Sequence, residues 1–201
     1  MKGDKRMVDS DLIKRCQQGE EEAYDELYKT VGKKALWTTY LLAGNMNIAE
    51  DIIQEVFFEC FRSINKLQKP ELFPVWFNRI LTRTCWRIVY KEKKKAAKSL
   101  DDEVLVELKI EDDDFERIEI NQTNLKIREA INRLSPSMRA TVILHYYNEM
   151  TIKEIAQVMN CFEGTVKSRL YYAKKVLGKE LKRELADEYF QDLNYQKRSA
   201  L

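Results

Sequence analysis

The chain has 201 residues, of which 44% are hydrophobic and 34% charged, with 6 glycines and 3 prolines. This composition favours a soluble, mostly helical protein, and the length permits one domain or two small ones. No run of about 18 apolar residues occurs, and the start of the sequence is charged where a signal peptide would be apolar. We therefore expect a cytoplasmic protein without direct membrane insertion.

The four cysteines are widely separated and form no C-x-x-C pair. This spacing gives little support to a disulfide framework or a zinc site, and each thiol is expected to be a small packed or incidental residue. No phosphate-binding glycine loop is present either. We expect no metal, no cofactor and no small-molecule substrate.

The net charge of +2 conceals a strong segregation of charge along the chain. Residues 79–98 carry eight bases against one acid, residues 101–119 carry ten acids against two bases, and residues 167–183 carry seven bases against one acid. Such blocks are usually solvated faces. Two basic blocks at the ends of two helical regions, however, also suit a polyanion that is contacted twice.

Hydrophobic periodicity predicts helices over residues 12–16 and 20–32, with 33–42 extending or restarting the second, and then over 48–67. The last of these carries an apolar stripe and, on its other surface, a strip of acidic and amide side chains. The strip is either a solvated face or a docking surface for a basic partner helix, since its members recur at i, i+4 spacing. It consists of Glu50, Asp51, Gln54, Glu55 and Glu59.

A loop is predicted at residues 66–74 and a helix at 75–95. On this helix Arg79, Arg83, Arg87 and Lys91 recur every four residues and form a cation row. Aromatic rings accompany the row, and they provide either core packing or surfaces on which bases stack. These rings are Phe73, Trp76, Phe77, Trp86 and Tyr90.

After an acidic connector, helices are predicted at residues 125–134 and 138–147, with Ser135-Pro136-Ser137 ending the first and capping the second. The second is expected to place an apolar stripe against the helix pair that follows it. Its members are Arg139, Val142, Ile143, Tyr146 and Tyr147.

The helix pair itself begins at Thr151, which forms a capping box with Glu154. Residues 160–164 are predicted to be a turn, and Thr165 opens a second helix. Its apolar positions are Val166, Leu170, Ala173 and Leu177, and its outer face carries Lys167, Ser168, Arg169, Tyr172, Lys174 and Lys175. This layout is typical of a helix in the major groove, although a basic helix pair taken alone is more often a solvated element of a bundle.

Two stretches together resemble one family. AEDIIQEVFFECF at residues 49–61, with the aromatic and basic helix after it, resembles region 2 of bacterial sigma-70 factors, and residues 134–177 resemble region 4. The short spacing resembles the extracytoplasmic-function (ECF) class. The resemblance implies an all-α fold with two small helical domains joined by a flexible linker: region 2 at 9–97, an acidic linker at 98–122, region 4 at 123–185 and a tail at 186–201.

The resemblance also implies partners. Region 2 would dock on the clamp helices of the largest subunit of core RNA polymerase and open the minus-ten element of promoter DNA. Region 4 would bind the flap of the second subunit and read the minus-thirty-five element. An anti-sigma factor is a further candidate partner. The polymerase-docking residues would be Asp51, Gln54 and Glu55.

Residues for DNA contact follow from the same resemblance. The loop at residues 63–70 would accept an extruded base, arginines would hold phosphates, and the second helix of the pair would face the major groove. The single-strand set is Ser63, Asn65, Lys66, Trp76, Arg79, Arg83 and Arg87. The recognition-helix set is Glu163, Thr165, Lys167, Ser168, Arg169 and Tyr172.

The sequence departs from the family where the turn before the recognition helix often reads C-P-x-G-T-V. Phe162 replaces the proline, so the turn could lose rigidity. Glu163 puts an anion close to DNA, or else accepts from a cytosine amino group.

We therefore expect a non-enzymatic transcription initiation factor. A stand-alone helix-turn-helix regulator is the alternative, but it leaves the acidic strip and the cation row unexplained. An enzyme is disfavoured because the single histidine, His145, has no nucleophile or paired carboxylate arranged around it in the sequence.

Overall fold

The computed structural model describes residues 8–98 and 122–180. The predicted tail, the last residues of the predicted region 4 and the acidic linker apart from its end residues 98 and 122 lie outside the described part. Within that part, the backbone consists of helices joined by turns and short loops, and no strand occurs. None of the described helices is long and apolar enough to cross a membrane.

Four helices form the first half. They are α1 (Ser10–Gln17), α2 (Glu21–Ala43), α3 (Met46–Ser63) and α4 (Phe73–Lys98), with short 3₁₀ turns at Ile64–Lys66 and Pro70–Leu72 between α3 and α4. Their apolar faces meet in a first hydrophobic cluster. It includes Leu27, Ile52, Val56, Phe73, Phe77, Leu81 and Cys85.

The second half contains α5 (Gln122–Asn132), α6 (Pro136–Val142), a π-helical turn (Ile143–Tyr147), α7 (Ile152–Val158) and a last helix, α8, described over residues 163–180. A second hydrophobic cluster lies between them. It includes Leu144, Ile155, Val158, Val166, Leu170 and Ala173, as the periodicity of α8 predicts. The expected all-α fold of two small helical domains is confirmed.

The predicted helix boundaries differ from the structure where a cap or a tertiary contact decides them. The 20–32 and 33–42 segments form one continuous helix, because Gly32 is buried and the flanking Leu27 and Ala35 pack into the first cluster. Helix α3 starts two residues early, since the Asn45 side chain accepts a 3.0 Å hydrogen bond from the Ile48 N–H. Helix α4 starts inside the predicted loop because Pro74 is tolerated in a first helical turn.

The stripe expected on residues 138–147 is partly wrong. Val142 joins the second cluster, but Ile143 packs into the first cluster, and Tyr146 and Tyr147 are exposed. The helical backbone widens into a π turn at this point, so the side chains rotate away from the positions that a regular α-helix would give them.

The two helices of the predicted pair are joined by a well-defined turn. The capping box at its start is confirmed, with Thr151 N donating to Glu154 Oε2 over 2.7 Å. At the other end of α7, Asn160 adopts a left-handed φ of 46° and Cys161 N donates to Ala156 O over 3.0 Å. These are the features of a Schellman motif, which fixes the turn without a proline.

Helix α8 begins at residue 163, two residues before the predicted Thr165. Glu163 and Gly164, predicted to belong to the turn, form its first helical positions. The reason is that the Schellman motif completes the turn early, and the Phe162 carbonyl then accepts from Thr165 N at 2.9 Å and Val166 N at 3.2 Å.

The left-handed Asn160 makes a testable contribution to stability. Asn160→Ala is expected to lower the free energy of unfolding by about 1 kcal/mol. Alanine has a Cβ that disfavours the left-handed conformation, and it lacks the polar side chain with which asparagine can form a local hydrogen bond. Asn160→Gly should stay within about 0.5 kcal/mol of the parent protein. Guanidinium denaturation followed by circular dichroism measures both, and an equal loss in the two variants would contradict the role of the left-handed backbone.

Candidate nucleic-acid and protein interfaces

The acidic strip lies on the exposed face of α3. Asp51, Gln54 and Glu55 point to solvent because the opposite face of the same helix, which includes Ile52 and Val56, is buried in the first cluster. Glu55 also forms a salt bridge with Arg87 of α4, so one predicted protein contact is paired with one predicted DNA contact. The structure therefore brings the three predicted docking residues onto one surface.

Phe58 extends this surface and was missed by the sequence reasoning. Its side chain is 67% exposed, and the Arg62 guanidinium lies 5.8 Å from its ring centroid. The available signal was its spacing, since Phe58 follows Gln54 and Glu55 by four and three residues and so lies on their face of the helix.

The loop after α3 presents two of its three predicted DNA contacts. Asn65 and Lys66 are exposed, and Gln17 holds the loop in place by donating to the Ile64 carbonyl at 3.0 Å and the Leu67 carbonyl at 2.7 Å. Ser63 is different, because its hydroxyl is buried and donates to the Glu59 carbonyl at 2.5 Å. The structure does not present Ser63 for DNA contact.

The cation row lies along α4, and all four of its members are exposed. Arg79 uses its guanidinium to contact the other half of the protein, with Nε 3.2 Å and Nη2 2.5 Å from the Gln157 carbonyl oxygen of α7. Arg87 is paired with Glu55 across the α3–α4 contact. The row is therefore already partly engaged in the arrangement seen here.

The aromatic residues around the row divide by burial. Phe73 and Phe77 belong to the first cluster, and Trp76 and Trp86 are partly buried against it. Tyr90 is 71% exposed. Core packing therefore accounts for most of these rings, while Trp76 keeps part of its surface accessible and Tyr90 most of it.

A polar contact connects the two halves near the start of α4. Asn148, which follows the π turn, donates from Nδ2 to Asn78 Oδ1 at 2.7 Å, and its own Oδ1 lies 2.8 Å from Thr38 Oγ1. A cavity of about 180 Å³ lies beside these groups. The second half is thus attached to both α2 and α4.

A second contact lies at the C-terminal end of α2. Arg139 of α6 donates to the Leu42 carbonyl at 3.3 Å and to the Asn132 carbonyl, and a cation is favourable next to the free carbonyls of a helix end. Burial lowers the pKa of the Arg139 guanidinium. Arg128 of α5 donates to the Tyr40 hydroxyl nearby.

On α8 the structure separates the predicted recognition residues into two groups. Glu163, Lys167, Ser168 and Tyr172 are exposed, and Thr165 is partly exposed. Arg169, in contrast, is half-buried and folds back onto the turn.

The Arg169 guanidinium contacts sulfur atoms rather than pointing away from the helix pair. Its Nη1 lies 3.7 Å from Cys161 Sγ and 3.9 Å from Met159 Sδ. Of the recognition set, the structure therefore presents Glu163, Lys167 and Ser168 outward in the first two turns of α8 and Tyr172 one turn further on.

The cysteines and the histidine have packing or backbone partners. Burial raises the pKa of the Cys85 thiol to about 12 and that of Cys60 further above its ordinary value. Cys161 is partly exposed in the turn before α8. His145 Nδ1 lies 3.0 Å from the Met150 carbonyl oxygen.

Comparisons with known proteins agree with this architecture. The family described as Sigma-70, region 4 matches residues 124–177. The chain is 28% identical over 183 residues to the ECF RNA polymerase sigma factor SigW of Bacillus subtilis, covering 85% of this chain and 95% of SigW. It is 30% identical over 140 residues to the RNA polymerase sigma factor SigV of the same organism, covering 70% of this chain and 80% of SigV.

Solved structures share the fold at lower identity. CnrH in complex with the cytosolic domain of CnrY has a TM-score of 0.67 and 15% identity, covering 87% of this chain and 97% of CnrH. RpoE in complex with the anti-sigma factor NepR from Bartonella quintana has a TM-score of 0.65 and 19% identity, covering 79% and 96%.

The first half is a helical bundle with an exposed acidic strip and cation row, and the second half contains a helix-turn-helix unit. This arrangement is typical of a transcription factor. The relatives identify which family of transcription factors it is. The chain belongs to the sigma-70 family of RNA polymerase sigma factors, in its extracytoplasmic-function group.

The exposure of the cysteines gives a direct test of this geometry. With a thiol-specific reagent at pH 8, Cys161 is expected to react at least about tenfold faster than Cys16, Cys60 and Cys85, because burial both blocks access and keeps those thiols protonated. Mass spectrometry of timed digests measures the rates. Cys161→Ser removes the fast site and is the control, and fast labelling that persists in this variant would contradict the described packing.

Proposed function

We propose that this sigma factor binds core RNA polymerase and directs promoter-specific transcription initiation by recognising and melting promoter DNA. The observation that carries the proposal is the pairing of two unlike surfaces on adjacent helices, the acidic strip on α3 and the cation row on α4, with a helix-turn-helix unit behind them. A stand-alone regulator would need the helix-turn-helix unit alone.

The acidic strip supports binding to the polymerase clamp helices. Asp51, Gln54 and Glu55 offer oxygen acceptors along one exposed face, and Phe58 adds an apolar surface at the same place. Charged positions steer a basic partner and set its orientation, while an exposed aromatic side chain contributes binding energy when it is desolvated.

The cation row and the loop before it support capture of a melted strand. Extruding a base from the duplex costs a few kcal/mol of stacking, and a factor without fuel must recover this cost by binding the single strand. Asn65 and Lys66 are exposed at the loop and supply polar groups, and partly exposed Trp76 supplies a ring. The exposed arginines of α4 supply phosphate partners.

The helix-turn-helix unit supports reading of the minus-thirty-five element in the major groove. Glu163, Lys167 and Ser168 lie at the start of α8, which is the part of a recognition helix that reaches base edges. Arg169 would have to leave the sulfur atoms of the turn before it could contact a base. The polymerase flap is the proposed protein partner of this half.

The contact between the halves implies a rearrangement during initiation. Arg79 is bound to the Gln157 carbonyl, so its use on a phosphate requires that α7 move away from α4. A candidate partner for the unbound protein is an anti-sigma factor, since the two solved structures named above are complexes and one contains a protein described by that name. An anti-sigma factor would act by favouring an arrangement in which the DNA-binding groups are covered.

Run-off transcription tests the docking surface. Purified bacterial core polymerase with this protein is expected to give selective new transcripts from a promoter library, at a stated salt concentration. The double variant Asp51→Ala, Gln54→Arg should lose most of this transcription, because it removes acceptors and introduces a cation facing a basic partner. Core binding measured by gel filtration should fall in parallel.

The matched control is Asp25→Ala, which removes an exposed acid of α2 outside the strip. Transcription by this variant should equal that of the parent protein. Sequence-specific duplex binding by the parent without core binding or transcripts would instead favour the stand-alone regulator.

The salt dependence of DNA binding tests the cation row. Arg83→Ala is expected to lower the magnitude of the slope of log affinity against log salt by about 0.7 for a single-strand phosphate contact, with little change in sequence preference. The assay is holoenzyme binding to the selected promoter between 50 and roughly 200 mM salt. Lys29→Ala, at an exposed cation of α2, should leave the slope unchanged, and an unchanged slope in Arg83→Ala would argue against a phosphate contact there.

A further inference from the structure

Phe162 is the most exposed large hydrophobic side chain in the described part of the chain, at 85% of its full accessible surface. Its neighbour Cys161 packs against the second cluster, but Phe162 does not. Because its ring stays in water, Phe162 contributes almost no hydrophobic free energy to folding. A single exposed apolar side chain is common on protein surfaces. Phe162, however, lies in the turn before α8, where the proposed function places DNA, and this position favours a contact with DNA.

The local backbone gives an independent reason. Phe162 is the N-cap residue of α8, since its carbonyl accepts from Thr165 N at 2.9 Å and Val166 N at 3.2 Å. Serine, threonine, aspartate and asparagine are favoured at this position because their side chains bind the free N–H groups, and phenylalanine has no such group. Phe162 is thus unfavourable both as a cap and as a surface residue, a combination expected at a functional site.

We propose that the Phe162 ring contacts the 5-methyl group of a thymine in the major groove of the upstream promoter element and determines a base preference there. This inference rests on the proposed function, in which α8 enters the major groove. The Schellman motif at Asn160 and Cys161 fixes the backbone of the turn and so places position 162 at the N-terminal end of the helix, beside Glu163.

Thymine is singled out by the chemistry of the groove. Among the base edges exposed in the major groove, the thymine methyl is the apolar group, and the others are hydrogen-bond donors or acceptors. A phenyl ring cannot satisfy a donor or an acceptor, nor can it bind a phosphate. The faces of the bases are stacked in a duplex, which leaves the methyl as the matching contact. Glu163 can at the same time accept from a neighbouring cytosine amino group.

The test removes the methyl group from the DNA and the ring from the protein separately. The probe is the duplex selected from the promoter library by the holoenzyme, with each thymine of the upstream element replaced singly by deoxyuridine. For the parent protein, one replacement should weaken competition binding about fourfold, the loss expected for one buried methyl group.

Phe162→Ala should bind the thymine and deoxyuridine probes with equal affinity at that position, whereas Phe162→Leu should keep part of the discrimination. Because the side chain is exposed, both variants should unfold at the temperature of the parent protein, which circular dichroism verifies. The readout is the ratio of the affinities for the thymine and deoxyuridine probes. A general loss of binding lowers both affinities and leaves this ratio unchanged.

Two outcomes overturn the inference while leaving the proposed function intact. In the first, Phe162→Ala retains the parent's thymine-to-deoxyuridine ratio at every position. In the second, its binding falls equally on both probes, which would place the ring on sugar or phosphate. Absence of any sequence-selective binding by the parent holoenzyme would overturn the proposed function together with this inference.

Discussion

Helix α4 is the element on which the arrangement of both halves depends, because one of its faces packs in the first cluster and another contacts the second half. Phe73, Phe77 and Leu81 are buried in the first cluster and fix the rotation of the helix. That rotation turns the cation row outward. Val75 packs against the second cluster and Arg79 contacts α7, so the same helix also carries the second half. A change in the packing of α4 would therefore alter the cation row, the proposed DNA-binding surface, together with the interdomain contact.

The interdomain contact has a polar and an apolar component, and the two contribute differently to the free energy of separating the halves. The hydrogen bonds from Arg79, Arg139 and Asn148 can be exchanged for bonds to water, and each contributes on the order of 1 kcal/mol net. Ala140 and Ile143 are buried in the first cluster, so separating the halves exposes apolar surface. A partner that opens the protein must offset this cost through its higher affinity for the open form. Polymerase and promoter, which the proposal places on surfaces of both halves, would supply that difference.

Periodicity and capping residues predicted most of the helices, because those signals are local. Ser135 and Thr151 cap the helices that they precede, as predicted, whereas the cap at Asn45 was not predicted and moved the start of α3. The contact between the halves could not be found in this way, since Arg79 and Arg139 donate to the backbone carbonyls of Gln157 and Leu42, and a carbonyl gives no signal in the sequence. The acidic strip and cation row were predicted as exposed faces, and they are exposed except for Glu59, which is partly buried. Ser63 lies three and seven residues after Cys60 and Val56, on the buried face of α3, so helical periodicity already contained the signal for its burial.

The start of α8 shows how a departure from a family pattern can be absorbed by the backbone. The proline expected in the turn would restrict one residue, whereas here the left-handed Asn160 and the Cys161 N–H bond to Ala156 fix the same turn. Residue 162 is therefore not needed to restrict the backbone of the turn. Arg169 packs on the sulfur atoms behind the turn, so the outward positions nearest the helix start are Phe162, Glu163 and Lys167. An apolar ring, an acceptor and a cation offer three different chemistries to base edges. In the proposed function, these positions at the start of α8 would therefore set the promoter preference of this sigma factor.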